Sequence, residues 1–356
     1  MLRDAGTVRL ALVLPLLQLF LFGFAINTNP RHLPTALVSA DHSIYERDLV
    51  AALENTKYFA IRDYPSAAAA ARALARGAVL FVVEMPPHFA RRVDRGEHPD
   101  VLMDVDASDP TAVGSATAAA QGVIATALTR DLPPNLQADA NTSPFGIVLH
   151  DRYNPEQVTA LNIVPGLLGV ILIVSTLVQT SLAITREREI GTLENLLAMP
   201  VHPAEVMLGK IVPYVGLGYL QVTLILVMSI FVFDIPVRGS LILLLFALGV
   251  FIACNLALGF LISIVAHTQR QAQQLAQFSL MPAMLLSGFT FPFACMPVWA
   301  RAIGELLPVT HILRIARGIL LKGNGFAILV PDLWPMVLFA VVVGAAATVL
   351  YRTTLD

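Results

Sequence analysis

The chain has 356 residues, of which 56% are hydrophobic and only 13% charged, with a mean hydropathy of +0.71, whereas soluble domains carry about 45–50% and about 25%. A formal net charge of -2 leaves no cationic excess to neutralise phosphates, which excludes nucleic acid as a partner. The two cysteines, Cys254 and Cys295, lie in or beside apolar runs and provide neither a disulfide framework nor a zinc-type ligand cluster.

Bilayer hydrocarbon, about 30 Å thick, is crossed by about 20 apolar helical residues. Stretches of that length free of Asp, Glu, Lys, Arg and His run from Leu10 to Pro30, Asn162 to Ile184, Val212 to Phe233, Ser240 to Ala266, Leu275 to Phe293 and Leu333 to Tyr351. The first follows Arg3 and Arg9 like a secretory signal, but its apolar core is longer than the usual 7 to 15 residues, roughly, of such signals. It reads as a retained anchor. Six spans place both termini on one side, and the positive-inside rule makes that side the cytoplasm. The bias is small: Arg3, Arg9, Arg186, Arg188, Lys210, Arg270 and Arg352 against Arg238, Arg301, Arg314, Arg317 and Lys322.

Between the first two spans, residues 31–155 have the composition of a soluble domain. Thr35 to Ala40, Ala78 to Val83, Val101 to Val105 and Phe145 to Leu149 are short Val-, Leu- and Phe-rich runs of strand type. Ser66 can cap an Ala-rich helix that stops at Gly77, and Asp109 followed by Pro110 opens another toward Arg130. The expected class is thus an α-helical integral membrane protein of six spans with an α/β extracytoplasmic domain inserted between the first two. The domains expected are residues 1–30, 31–155 and 156–356.

No catalytic constellation emerges. Asp104, Asp106 and Asp109 resemble a calcium loop, but Asp109 stands where Gly is needed and Ser115 where a bidentate Glu is needed. The histidines form no pair at zincin spacing, and no G-x-S-x-G elbow occurs. The Gly209-Lys210 pair lacks both the earlier Gly and the following Ser or Thr of a phosphate-binding loop, so no enzyme, metal or cofactor site is expected in this chain.

The informative segment follows the second span, from Thr185 to Lys210. Arg186, Glu187, Arg188, Glu189 and Glu194 are too costly to place in hydrocarbon, and Leu193, Leu196 and Leu197 give a short helix an apolar stripe. Its acids match its bases, which suits a protein partner better than an anionic leaflet. Gly191, at about 1 kcal/mol relative to Ala in a helix interior, then marks a place where another backbone comes close. The run from Glu187 to Lys210 resembles the signature loop of ABC type-2 transporter permeases. So do Tyr153 to Glu156, Val164 to Gly169, Leu286 to Pro292, Met296-Pro297, Leu307 to Thr310 and Arg317 to Gly323, in order along nearly the whole chain. The resemblance extends to the multidrug-exporter-like subclass with a large extracytoplasmic domain.

That resemblance implies a permease subunit of an exporter in the bacterial inner membrane, with cytoplasmic termini. It implies as partners a separate ABC ATPase subunit carrying ATP and Mg, a second permease copy or paralogue, and a periplasmic membrane fusion protein. Residues 186–206 become a coupling helix docking the ATPase through Glu187, Arg188, Glu189, Gly191, Thr192, Leu193, Glu194, Leu196 and Leu197. Farther on, residues 294–331 are apolar yet carry Glu305, His311, Arg314 and Arg317, and Pro297 and Pro308 divide them into two short helices. His311, Arg314 and Arg317 share one helical face, either snorkelling at headgroups or forming an outer polar rim on the exit path; the family's re-entrant outer segment favours the rim.

Overall fold

A computed structural model describes residues 30–124, 127–128, 144–191 and 203–353. Two compact units result, Asn27–Asn162 and, among the described residues, those from Ile163 onward.

The first unit is a five-stranded sheet of order β2-β1-β3-β4-β5, with strands β1 (Leu33–Val38), β2 (Phe59–Asp63), β3 (Phe81–Glu84), β4 (Asp100–Asp106) and β5 (Gly146–Arg152). β1 runs parallel to both β2 and β3, β4 is antiparallel to β3, and β5 is parallel to β4. Helices α1 (Ile44–Asn55), α2 (Ala67–Ala75), α3 (Phe89–Asp94) and α4 (Pro110–Ile124) join them. Ser66 caps α2 by accepting from Ala69 N, and Ser43 caps α1 by accepting from Glu46 N. The Ala-rich face of α2 packs through Ala70, Ala73 and Leu74 on Ala36, Val79 and Val82, because small side chains let helix and sheet approach.

Strand β2 and helices α1 and α3 were absent from the sequence reading. Asp104 of the suspected calcium loop is deeply buried, and its oxygens meet His150 Nδ1 at 2.8 Å and an Arg152 Nη at 2.7 Å. The Asp104 hydrogen bond, against burial, raises the Arg152 pKa above its usual range. Among the described residues no cluster of His, Cys, Asp and Glu could hold a metal ion.

The second unit is helical: α5 (Thr159–Ile190), α6 (Pro203–Phe231), α7 (Leu241–Val265), α8 (Gln269–Leu286), α9 (Val298–Gly304), α10 (Pro308–Leu320) and α11 (Phe326–Thr353). Four stretches among the described residues are long and apolar enough to cross a membrane: Thr159–Leu182, Val212–Phe231, Leu241–Val265 and Phe326–Leu350. Gly259 of α7 lies so close to α5 that an added Cβ would stand 2.8 Å from Thr180 Cβ and 3.0 Å from the Leu177 carbonyl oxygen. Such close approach is how small residues join helices in lipid.

The expected first span lies outside the described residues. The expected fifth is corrected. Its helix, α8, begins at Gln269 and stops at Leu286, and Gly288 follows with φ +85°, a left-handed conformation natural to glycine. With Gln269, Arg270, Gln271, Gln273, Gln274 and Gln277 in its first half, α8 is not among the four apolar spans. The last helix starts earlier than expected, at Phe326, and so takes in Asp332 together with Pro331 and Pro335.

Candidate functional site

Two places carry the residues singled out by sequence, at opposite ends of the helical unit. At the first, α5 continues through Arg186, Glu187, Arg188 and Glu189 to Ile190 and ends there, because Gly191 has φ +79°. Residues 203–206 already belong to α6. The expected single helix over residues 186–206 is therefore corrected. Gly191 is a helix terminator rather than a mid-helix residue, and a Cβ added there would meet nothing within 4 Å among the described residues. Its glycine identity follows from the backbone angle, not from crowding by the described residues. Thr192, Leu193, Glu194, Leu196 and Leu197 lie outside the described residues.

Glu189 has a role that the sequence did not reveal. Its exposed carboxylate accepts from Gln269 N at 2.8 Å and from Gln269 Nε2, so it satisfies one of the backbone donors left open at the start of α8. Thr268 satisfies another by accepting from Gln271 N at 3.2 Å. The turn leading to Gly191 is thereby fastened to α8. Along α8, Arg270, Gln273, Gln277 and Met281 are the exposed residues, recurring at three and four so that they form one stripe. The outward residues of α6 and α11 include Leu220, Leu224, Phe231, Val337, Leu338 and Val341. α8 presents amides where those helices present hydrocarbon.

At the other end, Pro308 opens α10 at its first position, where the missing N–H costs nothing. α10 is almost wholly buried. The residues expected to form a polar rim there are largely paired with one another. Arg314 makes a two-pronged pair with Glu305, at 2.6 and 3.0 Å, and stands 3.5 Å from Asp332 Oδ1. Its guanidinium lies 4.6 Å from the Phe293 ring centroid, a favourable cation–π distance. His311, buried, contacts Asp332 Oδ1 through Nδ1 and the Glu305 carbonyl oxygen through Nε2, both at 2.9 Å. Arg317 is half-buried one turn farther along α10. Asp332 was missed because it immediately precedes an apolar run and has no partner near it in sequence. The loop from α6 to α7 closes on the same end, where Arg238 N donates to the Leu320 carbonyl at 3.2 Å.

Neither place contains a nucleophile with a base or a phosphate-binding loop, among the described residues. What they offer is mechanical: one polar fastening at each end of a bundle, and a helix with a polar face between them.

A family model described as ABC-2 family transporter protein matches residues 6–349. The probable multidrug ABC transporter permease YbhS of Escherichia coli (strain K12) is 28% identical over 345 residues, covering 95% of this chain and 90% of that protein. The probable multidrug ABC transporter permease YbhR of the same organism is 28% identical over 354 residues, 99% and 95% of the two chains. The inner membrane transport permease YhhJ, also from Escherichia coli (strain K12), is 29% identical over 279 residues, 76% and 71%.

Proposed function

Because this chain belongs to the ABC-2 transporter family and is a multi-pass transmembrane permease, we propose that it is the membrane half of an exporter driven by a separate ABC ATPase. Six spanning helices, both termini cytoplasmic, and an extracytoplasmic α/β domain between the first two make up the arrangement proposed. Two permease subunits pair, as copies or paralogues, in the bacterial inner membrane, and a periplasmic membrane fusion protein is proposed as a further partner. ATP and Mg belong to the ATPase, and this chain does no covalent chemistry.

The observation that carries this reading is the outward face of α8. Gln273 and Gln277 are exposed on a helix set among apolar spans. An amide without a partner in hydrocarbon costs about 4 to 8 kcal/mol on alkane scales, so a face of them suits water or a polar cargo. This supports a wall of the export path, with the amides meeting the hydrogen-bonding groups of an amphipathic, drug-like or lipid-like substrate. Glu189 supplies the drive to that wall. The ATPase docks on Glu187 to Leu197, its closure displaces the end of α5, and the Glu189–Gln269 fastening passes the displacement to α8. An ion-coupled carrier fits less well, since charged residues at mid-bilayer are its usual signature and α5 to α7 have no Asp, Glu, Lys, Arg or His between Asn162 and Ile184, Val212 and Phe233 or Ser240 and Ala266.

Affinity purification of the permease from native membranes, followed by mass spectrometry, tests the proposal. An ABC ATPase in near-equal amount, with ATP hydrolysis in the purified complex, is the expected result. A permease that purifies without any ATPase, in several mild detergents and in nanodiscs, overturns it.

A further inference from the structure

β5 closes one side of the sheet, with β4 as its one neighbour among the described residues. Gly146 N donates to the Pro99 carbonyl at 3.1 Å, and the Arg152 carbonyl accepts from Ala107 N at 3.2 Å, so the even-numbered residues of β5 turn their amides toward β4. By the two-residue period of a strand, the N–H and C=O groups of Ile147, Leu149 and Asp151 point away from the sheet. Exposed edges are usually blunted by shortness, charge, Pro or a bulge. The opposite edge follows that rule, since β2 has five residues and ends in the exposed Arg62 and Asp63. β5 does not. Its 7 residues contain neither Pro nor Lys, pair with β4 in unbroken register and leave Val148 47% exposed.

We propose that β5 docks on the β5 of a second copy of this chain, the two strands running antiparallel about a two-fold axis at Leu149. This rests on the reading that two permease subunits pair, and adds the place where their α/β domains meet. Leu149 is the middle residue of β5, so an axis there alone pairs the whole strand. An axis nearer either end shortens the ladder, and one at Asp151 sets two carboxylates directly opposite, which is unfavourable. With the axis at Leu149, Ile147, Leu149 and Asp151 of each copy exchange N–H···O bonds across it. Ile147 faces Asp151, whose carboxylate already accepts from Gln157 Nε2 at 3.0 Å. Val148 faces His150, and Gly146 faces Arg152. That last pairing carries a charge match. Asp100 is the β4 neighbour of Gly146, and its carboxylate leans over the glycine so closely that a Cβ there would collide with it. Each copy thus brings Arg152 beside the Asp100 of the other, on one face of the joined sheet. Asp104 holds one Arg152 Nη, which keeps the guanidinium on that face. Residues 153–158 alone separate β5 from α5, so paired spans hold the two edges at high effective concentration and a small contact suffices.

The test uses the full-length permease in native membranes, in a background lacking Cys254 and Cys295, with two copies carrying different tags. Val148→Cys in one copy and His150→Cys in the other stand directly opposite, about 4.5 Å apart at Cα. Two Val148→Cys copies are a diagonal apart, about 7–8 Å. Disulfides do not bridge Cα atoms more than about 7 Å apart, so oxidation by copper phenanthroline is expected to give about tenfold more mixed dimer from the first pair than from the second. Leu149→Pro removes an outward N–H and no bond to β4, and is expected to abolish that excess. Asp100→Lys, an exposed change, is expected to lower it by setting like charges together. Co-purification of the two tags is measured in parallel. Tags that co-purify without the excess, or an excess that survives both substitutions, overturn the proposal while the pairing of permeases stands; tags that do not co-purify overturn both.

Discussion

Glu189→Ala removes the fastening between the end of α5 and the start of α8 without touching either apolar core. Both hydrogen bonds from Gln269 end on its carboxylate. Bonds to charged groups contribute about 1.5–3 kcal/mol when sheltered, but exposed pairs give about 0.2–1 kcal/mol, and this site is exposed. An acidic group beside a helix N-terminus adds about 0.3–1 kcal/mol. The expected loss is therefore about 1–2 kcal/mol, small against the roughly 5–15 kcal/mol that holds a domain folded. Membrane levels and ATPase association should stay as in the wild type. Transport per ATP should fall about five- to thirty-fold, the factor those energies correspond to, with Glu189→Gln in between because its amide oxygen still accepts. The assay is ATP-driven movement of ethidium, a fluorescent amphipathic cation, in proteoliposomes holding permease and ATPase at matched amounts, with hydrolysis measured in parallel. Gln269→Ala closes a double-mutant cycle, and the two changes should be strongly non-additive. Unchanged transport per ATP in Glu189→Ala, or full additivity with Gln269→Ala, refutes the link.

Three further outcomes are expected. Gly191→Ala forces a side chain into φ +79° at about 1–2 kcal/mol, so Ala and Trp should impair transport alike and Asn least; an effect that grows with side-chain size points instead to a partner packed against this position. Gly259→Leu cannot fit against Thr180 and the Leu177 carbonyl and should destabilise the bundle by about 1–3 kcal/mol or more, read as a lower unfolding temperature in detergent. In a cysteine-free background, Ala68→Cys should react with an impermeant maleimide in intact cells and Asn195→Cys only after lysis; labelling of Asn195→Cys from outside contradicts the orientation.

How legible this fold was depended on whether the decisive partner lay nearby in sequence. Strands β1, β3, β4 and β5 follow their Val- and Leu-rich runs within a few residues, and Ser66 caps α2 as its position suggested. β2 is five residues long and ends in Arg62 and Asp63, too short and polar to stand out. The start of α1 could have been found, since Ser43 and Glu46 have capping-box spacing and Glu46 reaches back to His42 N at 2.7 Å. The fifth span was misplaced because searching for uncharged stretches treats glutamine as acceptable, whereas Thr268, a capping residue before a polar turn, marks the true start of α8. At the end where α10 meets α11, helical spacing grouped His311, Arg314 and Arg317. Asp332 comes from another helix, and nothing local announces it. The Glu189–Gln269 contact spans 80 positions, and no periodicity reports such a pairing.

These two long-range contacts grip the same helix unequally, and that constrains how α8 can move. The grip at Gln269 is exposed and amounts to about 1–2 kcal/mol by the reckoning above. The grip at Leu286 has a buried core, Leu286 against Gly304, with Phe293 packed beside it and the half-exposed Glu305–Arg314 pair at its edge. A pull on Glu189 would break the weak contact before it moved the strong one, whereas a push keeps the carboxylate against Gln269 and needs no strength in the bond. Transmission by this route thus favours compression from the Glu189 end. Between the two grips Pro282 lies inside the continuous helix α8, where the missing N–H and the ring's clash with the preceding turn make a kink inexpensive. The long part carrying Arg270, Gln273 and Gln277 can then swing about Pro282 while the last turn stays clasped. On this account the polar face turns at its Gln269 end first, while the end at Leu286 stays held against Gly304 and Phe293.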